Sequence, residues 1–292
     1  MTMNYLDQLK QRANETGSII CMGIDPQLDK IAKVQPNQRL ENKDVQRAVT
    51  EFYINILQEC ERQGIFPAAV KPNLAYFEKG RKRYGLLEAL DAINAECRRL
   101  NIPIIGDAKR GDIGASSEAY AEALFHPKEW NFDAITVAPY MGEDSIMPFV
   151  KYCDTGKGVY ILLRTSNPGR KDIQDVNGTY RHVAELIGKP WYKQGIGAVF
   201  GGTGGTEELE EVSRFYVNCG VEVPFLIPGI GKQGGSLEEV VAALRRSGTD
   251  LRIHRINASS DINWAYEKEG NPNDYAGAAV RALQKMNETV RL

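Results

Sequence analysis

The chain has 292 residues, of which 42% are hydrophobic and 25% charged, and its net charge is −2. Those proportions describe an ordinary water-soluble globule; without a basic block there is no nucleic-acid footprint, and no apolar run is long enough to span a bilayer. Cys21, Cys60, Cys97, Cys153 and Cys219 are odd in number and never form C-x-x-C, which points to reduced thiols in a cytoplasmic protein and away from a disulfide frame or a zinc site.

The N-terminal stretch 1–17 is polar and charged, unlike a signal peptide. From there strands alternate with helices. Residues 18–23 form an apolar run ending in Gly-Ile-Asp-Pro, which sets Asp25 just past a strand. Val45, Ala48, Val49, Phe52, Ile56 and Cys60 recur at helical spacing, with Gly64 as the stop. A second strand over 67–71 ends in Val-Lys-Pro-Asn and carries Lys71; Leu86, Leu87, Leu90, Ile93 and Cys97 mark the next helix. The third strand is read from the apolar lead-in 102–105, with Gly111 and Gly114 marking the turn and a helix over 116–125. Residues 133–138 and 158–163 are the fourth and fifth strands. The connection 167–180, rich in Gly, Pro, Asn and Asp, is a candidate functional loop. A sixth strand, 197–201, precedes Gly-Gly-Thr-Gly-Gly and a helix over 207–217. The seventh, 223–227, leads into Pro-Gly-Ile-Gly-Lys-Gln-Gly-Gly and a helix over 237–244; the eighth, 251–256, is followed by a closing helix, 274–286. Eight β-then-α units without a composition break predict one α/β domain over 1–292, a closed (β/α)8 TIM barrel, with an open doubly wound sheet as the alternative.

The chemistry centres on residues 104–116, Ile-Ile-Gly-Asp-Ala-Lys-Arg-Gly-Asp-Ile-Gly-Ala-Ser. Side chains alternate along a strand, so Asp107 and Lys109 share a face, while Asp112 lies past the strand end on a loop that can reach elsewhere. Charges crowded onto a greasy strand are costly unless paired, and a purely structural ion pair is the bland explanation. It must also account for Asp25, Lys71, Ser166 and Gln233, which all fall at C-terminal strand ends, where barrel active sites lie. The glycine-rich turn containing Pro228, Gly229 and Gly231 follows the seventh strand, a common phosphate-binding position. His126, His182 and His254 stand far apart and read as surface or packing residues. The site must then work with lysines and acids. A lysine held between carboxylates stays protonated, so it cannot form a Schiff base but can protonate a developing carbanion. A fixed carboxylate would also repel a substrate carboxylate. At an effective dielectric of about 20, such a pair 4 Å apart is worth roughly 4 kcal/mol, too little to supply a whole barrier, so carbanion stabilisation is the stronger idea.

The run Asp107-Ala-Lys109-Arg-Gly-Asp112-Ile113 resembles the signature of the orotidine 5′-phosphate decarboxylases. Val70-Lys71-Pro72-Asn73, Arg164-Thr165-Ser166-Asn167-Pro168-Gly169 and the turn at 228–235 are similar to their longer bacterial subgroup, and the likeness spans essentially the whole barrel. The resemblance implies conversion of orotidine 5′-monophosphate to UMP and carbon dioxide, the last step of pyrimidine nucleotide synthesis, without cofactor or metal, on a cytoplasmic homodimer with shared active sites. It implies a charged array of Lys71, Asp107 and Lys109 completed by Asp112 of the neighbouring subunit, with Lys109 delivering the proton. It further implies that Asp25 binds a ribose hydroxyl, Ser166 the pyrimidine amide, and Gln233 closes over ring and phosphate. Ile113 and Ser116 would line the site from the partner, and Pro228, Gly229, Gly231, Ser259 and Ser260 would complete the substrate contacts.

Two positions depart from the pattern. Where the family usually carries a phosphate-gripping arginine, in a run like Asn-Ser-Ser-Arg, this chain has Asn257-Ala258-Ser259-Ser260, and Lys232 stands where a small residue is usual. Magnesium-dependent sugar-phosphate decarboxylases and aldolases share the D-x-K-x-x-D run but place an acidic ligand at the end of the second strand; Lys71 there would repel a divalent cation. A non-catalytic phosphate binder is favoured only by Ser260.

Overall fold

Eight short parallel strands close on themselves in the computed structural model, which describes residues 3–34, 44–231 and 234–292. They are β1 (Ile20–Ile24), β2 (Ala69–Pro72), β3 (Ile105–Arg110), β4 (Ala134–Val137), β5 (Gly158–Arg164), β6 (Ile196–Phe200), β7 (Phe225–Ile227) and β8 (Arg255–Ala258). The order is β2-β1-β8-β7-β6-β5-β4-β3, and bridges between Val70 and Ile104 and between Asn73 and Asp107 join the two ends. The fold is the expected (β/α)8 barrel. Helices such as Asp44–Gln63, Leu86–Arg99, Thr206–Asn218 and Tyr275–Val290 wrap the outside. Their apolar stripes cover the outward strand residues, leaving the strands buried on both faces.

The inward residues stack in layers with the strand period of two. One layer is apolar: Cys21, Ala69, Ile105, Ala134 and Tyr160 pack together inside the barrel. Two residues further along β2, β3 and β4 come Lys71, Asp107 and Thr136, all buried. The polar site therefore rests directly on a dry floor.

Beneath that floor lies an unexpected plug. The stretch read only as polar folds as the helix Tyr5–Thr16, N-capped by Asn4, whose Oδ1 accepts from the Asp7 amide at 2.9 Å. Tyr5, Leu6 and Leu9 enter the inner cluster, and the Tyr5 hydroxyl bonds that of Tyr160 at 3.2 Å. The fully buried Arg255 guanidinium donates to the carbonyls of Leu9 (2.9 Å) and His254 (2.7 Å), tying plug to barrel.

Two strand boundaries differ from expectation for physical reasons. The apolar residues Leu251 and Ile253 form a 3-10 turn, Leu251–Ile253, with Ile253 packed into the floor, so the eighth strand begins only at Arg255. The third strand continues past its apolar lead-in to Arg110 because its inward charges find partners. Helices Glu143–Val150 and Thr179–Gly188 follow β4 and β5 without having been expected.

His254 is a packing residue, as expected. Its Nδ1 accepts from the Phe225 amide at 2.9 Å, and burial, reinforced by Arg255, pushes its pKa down to about 3. The unfolded imidazole titrates near 6.5, so between these values the unfolded state binds the extra proton and stability falls as pH falls, by up to about 1.4 kcal/mol per unit. Between pH 6.5 and 5, above the carboxylate range, the melting temperature should drop. His254→Asn, which retains an acceptor but does not titrate, should flatten that slope; an unchanged slope would assign it to other groups.

Candidate active site

The mouth of the barrel at the C-terminal strand ends holds a cavity of about 590 Å³, lined by residues of β2, β3, β4 and β8 and by the loops that follow the strands. Its centre is Asp107. Oδ2 accepts from Lys71 Nζ at 2.8 Å; Oδ1 accepts from Lys109 Nζ at 2.6 Å and from Thr136 Oγ1 at 2.9 Å. Lys71 and Asp107 are nearly sealed from solvent, whereas half of the Lys109 side chain is open to the cavity. Burial alone would push the Asp107 carboxyl up, but the two flanking ammoniums outweigh it and hold it well below the usual carboxylate range. Burial likewise disfavours the Lys71 ammonium, and Asp107 with Asp25 more than compensates, holding its pKa above that of an ordinary lysine. Asp107 and Lys71 are thus both ionised throughout the neutral range. Lys109 is the member able to meet a ligand.

Asp25, just past β1, turns a buried Oδ1 without a hydrogen-bond partner among the described residues; Asn257 of β8 does the same. Two unpaired acceptors at one mouth suit ligand hydroxyls. On the opposite wall, Ser166 follows β5 against β6. A Cβ on Gly201 would lie 2.6 Å from the Ser166 backbone, so a glycine is needed for that approach. The loop beyond is clamped from below: buried Arg164 bonds Asp175 at 2.8 Å, and Gln174 Oε1 accepts from the Thr165 amide at 2.7 Å.

Of the residues expected from sequence, Asp25, Lys71, Asp107, Lys109, Ser166, Pro228, Gly229, Ser259 and Ser260 line this cavity together. Gly231 lies behind it, where the Asp261 side chain packs against its α-carbon and leaves no room for a Cβ. Asp112, Ile113 and Ser116 do not line it. They sit at the start of the helix Gly114–Phe125, where the Asp112 carboxylate accepts from the Ile113 amide at 2.8 Å and Ile113 is half exposed. Gln233 and Lys232 lie outside the described residues. Thr136, Asn257 and Gln174 were missed. Strand alternation could have found Thr136, two residues after inward Ala134, and Asn257 is a polar residue inside an apolar strand. Gln174 carries no local signal. Among the described residues no group of three or more His, Cys, Asp or Glu stands close enough to hold a metal ion.

Residues 18–259 match the family model described as orotidine 5′-phosphate decarboxylase / HUMPS family. The chain belongs to this family. It is 33% identical to the orotidine 5′-phosphate decarboxylase of Delftia acidovorans, over 99% of this chain and 98% of that one. With the enzyme of the same name from Dechloromonas aromatica the identity is 37%, over 99% of each. Among solved structures, the OMP decarboxylase of Leishmania donovani superposes with a TM-score of 0.70 at 28% identity, covering 98% of this chain and 99% of that one. The orotidine 5′-phosphate decarboxylase family therefore supplies both the barrel and the class of chemistry: the chain is a decarboxylase, a carboxy-lyase.

Proposed function

We propose that this chain, acting as one barrel domain, decarboxylates orotidine 5′-monophosphate to UMP, the last step of pyrimidine nucleotide synthesis, with amino-acid side chains as the only catalytic groups. The observation that carries this reading is the buried Lys71–Asp107–Lys109 array, one ammonium of which faces the cavity. The ring carboxylate sits near Asp107, the carbon–carboxylate bond breaks, and carbon dioxide leaves. The electron pair stays on the pyrimidine carbon, where the Lys109 ammonium screens it and then transfers a proton to form the carbon–hydrogen bond. Solvent reprotonates the amine. Lys71, sealed beneath, keeps Asp107 ionised and in place. Asp25 and Asn257 offer acceptors to the ribose hydroxyls, and Ser166 faces the pyrimidine amide.

The shared-site dimer belongs to the same proposal. Ile113, Tyr120, Tyr140 and Met141 expose apolar surface at 51%, 40%, 83% and 45%, around the end of β3 and β4, which supports pairing with a second copy. Asp112, Ile113 and Ser116 would then act in the neighbour's cavity. All five cysteines are free thiols, four of them buried, which supports a reducing, cytoplasmic setting.

At the phosphate end the cavity is lined by Pro228, Gly229, Ser259 and Ser260, none of them cationic. Two nearby cations are already engaged, Arg170 with Asp175 at 3.2 Å and Lys268 with Asp261 at 2.7 Å. Lys232, which stands in the glycine-rich run 228–235, is the residue we propose for the compensating charge, with Gly231 and Gln233 of the same run as further substrate contacts.

Lys109→Ala should abolish turnover of orotidine 5′-monophosphate while leaving product-nucleotide binding nearly intact, because proton delivery is needed only in the transition state; wild-type turnover would sink the mechanism. Mixing inactive Lys109→Ala and Asp112→Ala chains should restore part of the activity, since one hybrid site escapes both lesions, whereas a verified heterodimer that stays inactive would assign Asp112 to its own subunit's site. Lys232→Ala should weaken kcat/KM for the phosphorylated substrate about 10- to 150-fold, equivalent to one charge-assisted contact of roughly 1.5–3 kcal/mol, and barely alter reaction of the phosphate-free nucleoside. An equal response from both substrates, or from neither, would remove Lys232 from the phosphate site.

A further inference from the structure

We infer that Thr136 is the positioning residue that aims Lys109. β3 and β4 pair in register at Gly106–Ile135 and next at Arg110–Val137, so four steps along β3 run against two along β4. The surplus residues bulge from the ladder, and the bulge is the segment 107–109. Within it Lys109 has φ +46°, a left-handed conformation that side chains rarely adopt and that persists only where surrounding contacts enforce it. Its amide N–H donates to Thr136 Oγ1 at 3.0 Å. The same hydroxyl donates to Asp107 Oδ1 at 2.9 Å, and that oxygen receives the Lys109 ammonium at 2.6 Å.

The direction of these bonds is fixed by chemistry. An amide can only donate, so the hydroxyl oxygen accepts there, and its single proton is left for the carboxylate. Thr136 is 1% exposed, so bulk water has no access to take over either role. One hydroxyl therefore holds Lys109 at both ends: its backbone directly, and its ammonium through the Asp107 oxygen that both groups share. A valine of nearly the same shape would loosen both at once. The amide would lose its acceptor, the left-handed turn its support, and Oδ1 one of its donors. Serine would keep all three.

The inference rests on Lys109 being the proton donor. Thr136→Val should lower kcat about 30- to 100-fold, as expected for a reacting group displaced by roughly an ångström, with KM and product-nucleotide affinity within about threefold of wild type. Thr136→Ser should recover kcat to within about fivefold. A merely structural role would instead lower thermal stability and raise KM along with any loss of rate. The inference is overturned if Thr136→Val keeps kcat within about threefold, if serine is as damaging as valine, or if the loss lies in KM. Should the valine variant not fold, Thr136→Ala, which also lacks the hydroxyl but has room to spare, is compared with serine by the same criteria. Lys109→Ala separates the two readings. If it stays active, the donor assignment fails; if it is dead while Thr136→Val is fast, only the positioning role fails.

Discussion

One buried carboxylate organises this barrel. Asp107 sits 8% exposed on an inward strand position and cannot be ionised there without partners. It has three: two ammoniums and a hydroxyl, arranged so that both oxygens are occupied. Removing one partner of such a buried pair typically costs about 3–5 kcal/mol, because the remaining charge is left uncompensated. The geometry of β3 follows from meeting that demand. The strand leaves its ladder with β4 at the acid, Lys109 takes a left-handed turn, and pairing resumes at Arg110.

The layers beneath explain why the array can be held so firmly. An apolar layer from five strands, sealed by the Tyr5–Thr16 helix, forms a floor on which Lys71 and Asp107 rest. Water is excluded from below, so each charge interacts with its neighbours in a medium of low polarity and is stronger for it. Above it, loops carrying Ser166 and Pro228 line the cavity, and the first of them is clamped by Arg164 with Asp175. A dry, packed floor suits an enzyme whose charged groups must be fixed before substrate arrives.

Much of this is legible in the amino-acid order because strand alternation is simple. Lys71, Asp107 and Lys109 were found by position at strand ends and by parity, and the structure places both ammoniums within 2.8 Å of the Asp107 carboxylate. Local patterns failed where tertiary packing decides. The floor helix was missed because Tyr5, Leu6 and Leu9 are thinly spread among polar residues, and only the barrel's open end gives them something to bury against. Leu251 and Ile253 looked like strand because they are apolar, yet they serve the floor from a turn. Thr136 carries no charge and so drew no notice, although its hydroxyl touches two groups of the site. Asp112, Ile113 and Ser116 stand away from their own chain's cavity, and no reading of a single chain can supply the neighbour they would face.

The central claim is that this fixed array of lysines and acids removes carbon dioxide unaided. The direct measurement is turnover of orotidine 5′-monophosphate by the purified wild-type chain, followed as UMP and carbon dioxide formed together, with and without excess metal chelator. The account predicts stoichiometric formation of both products at the same rate in either condition. Absence of turnover, or turnover that chelator abolishes and a divalent cation restores, would contradict it.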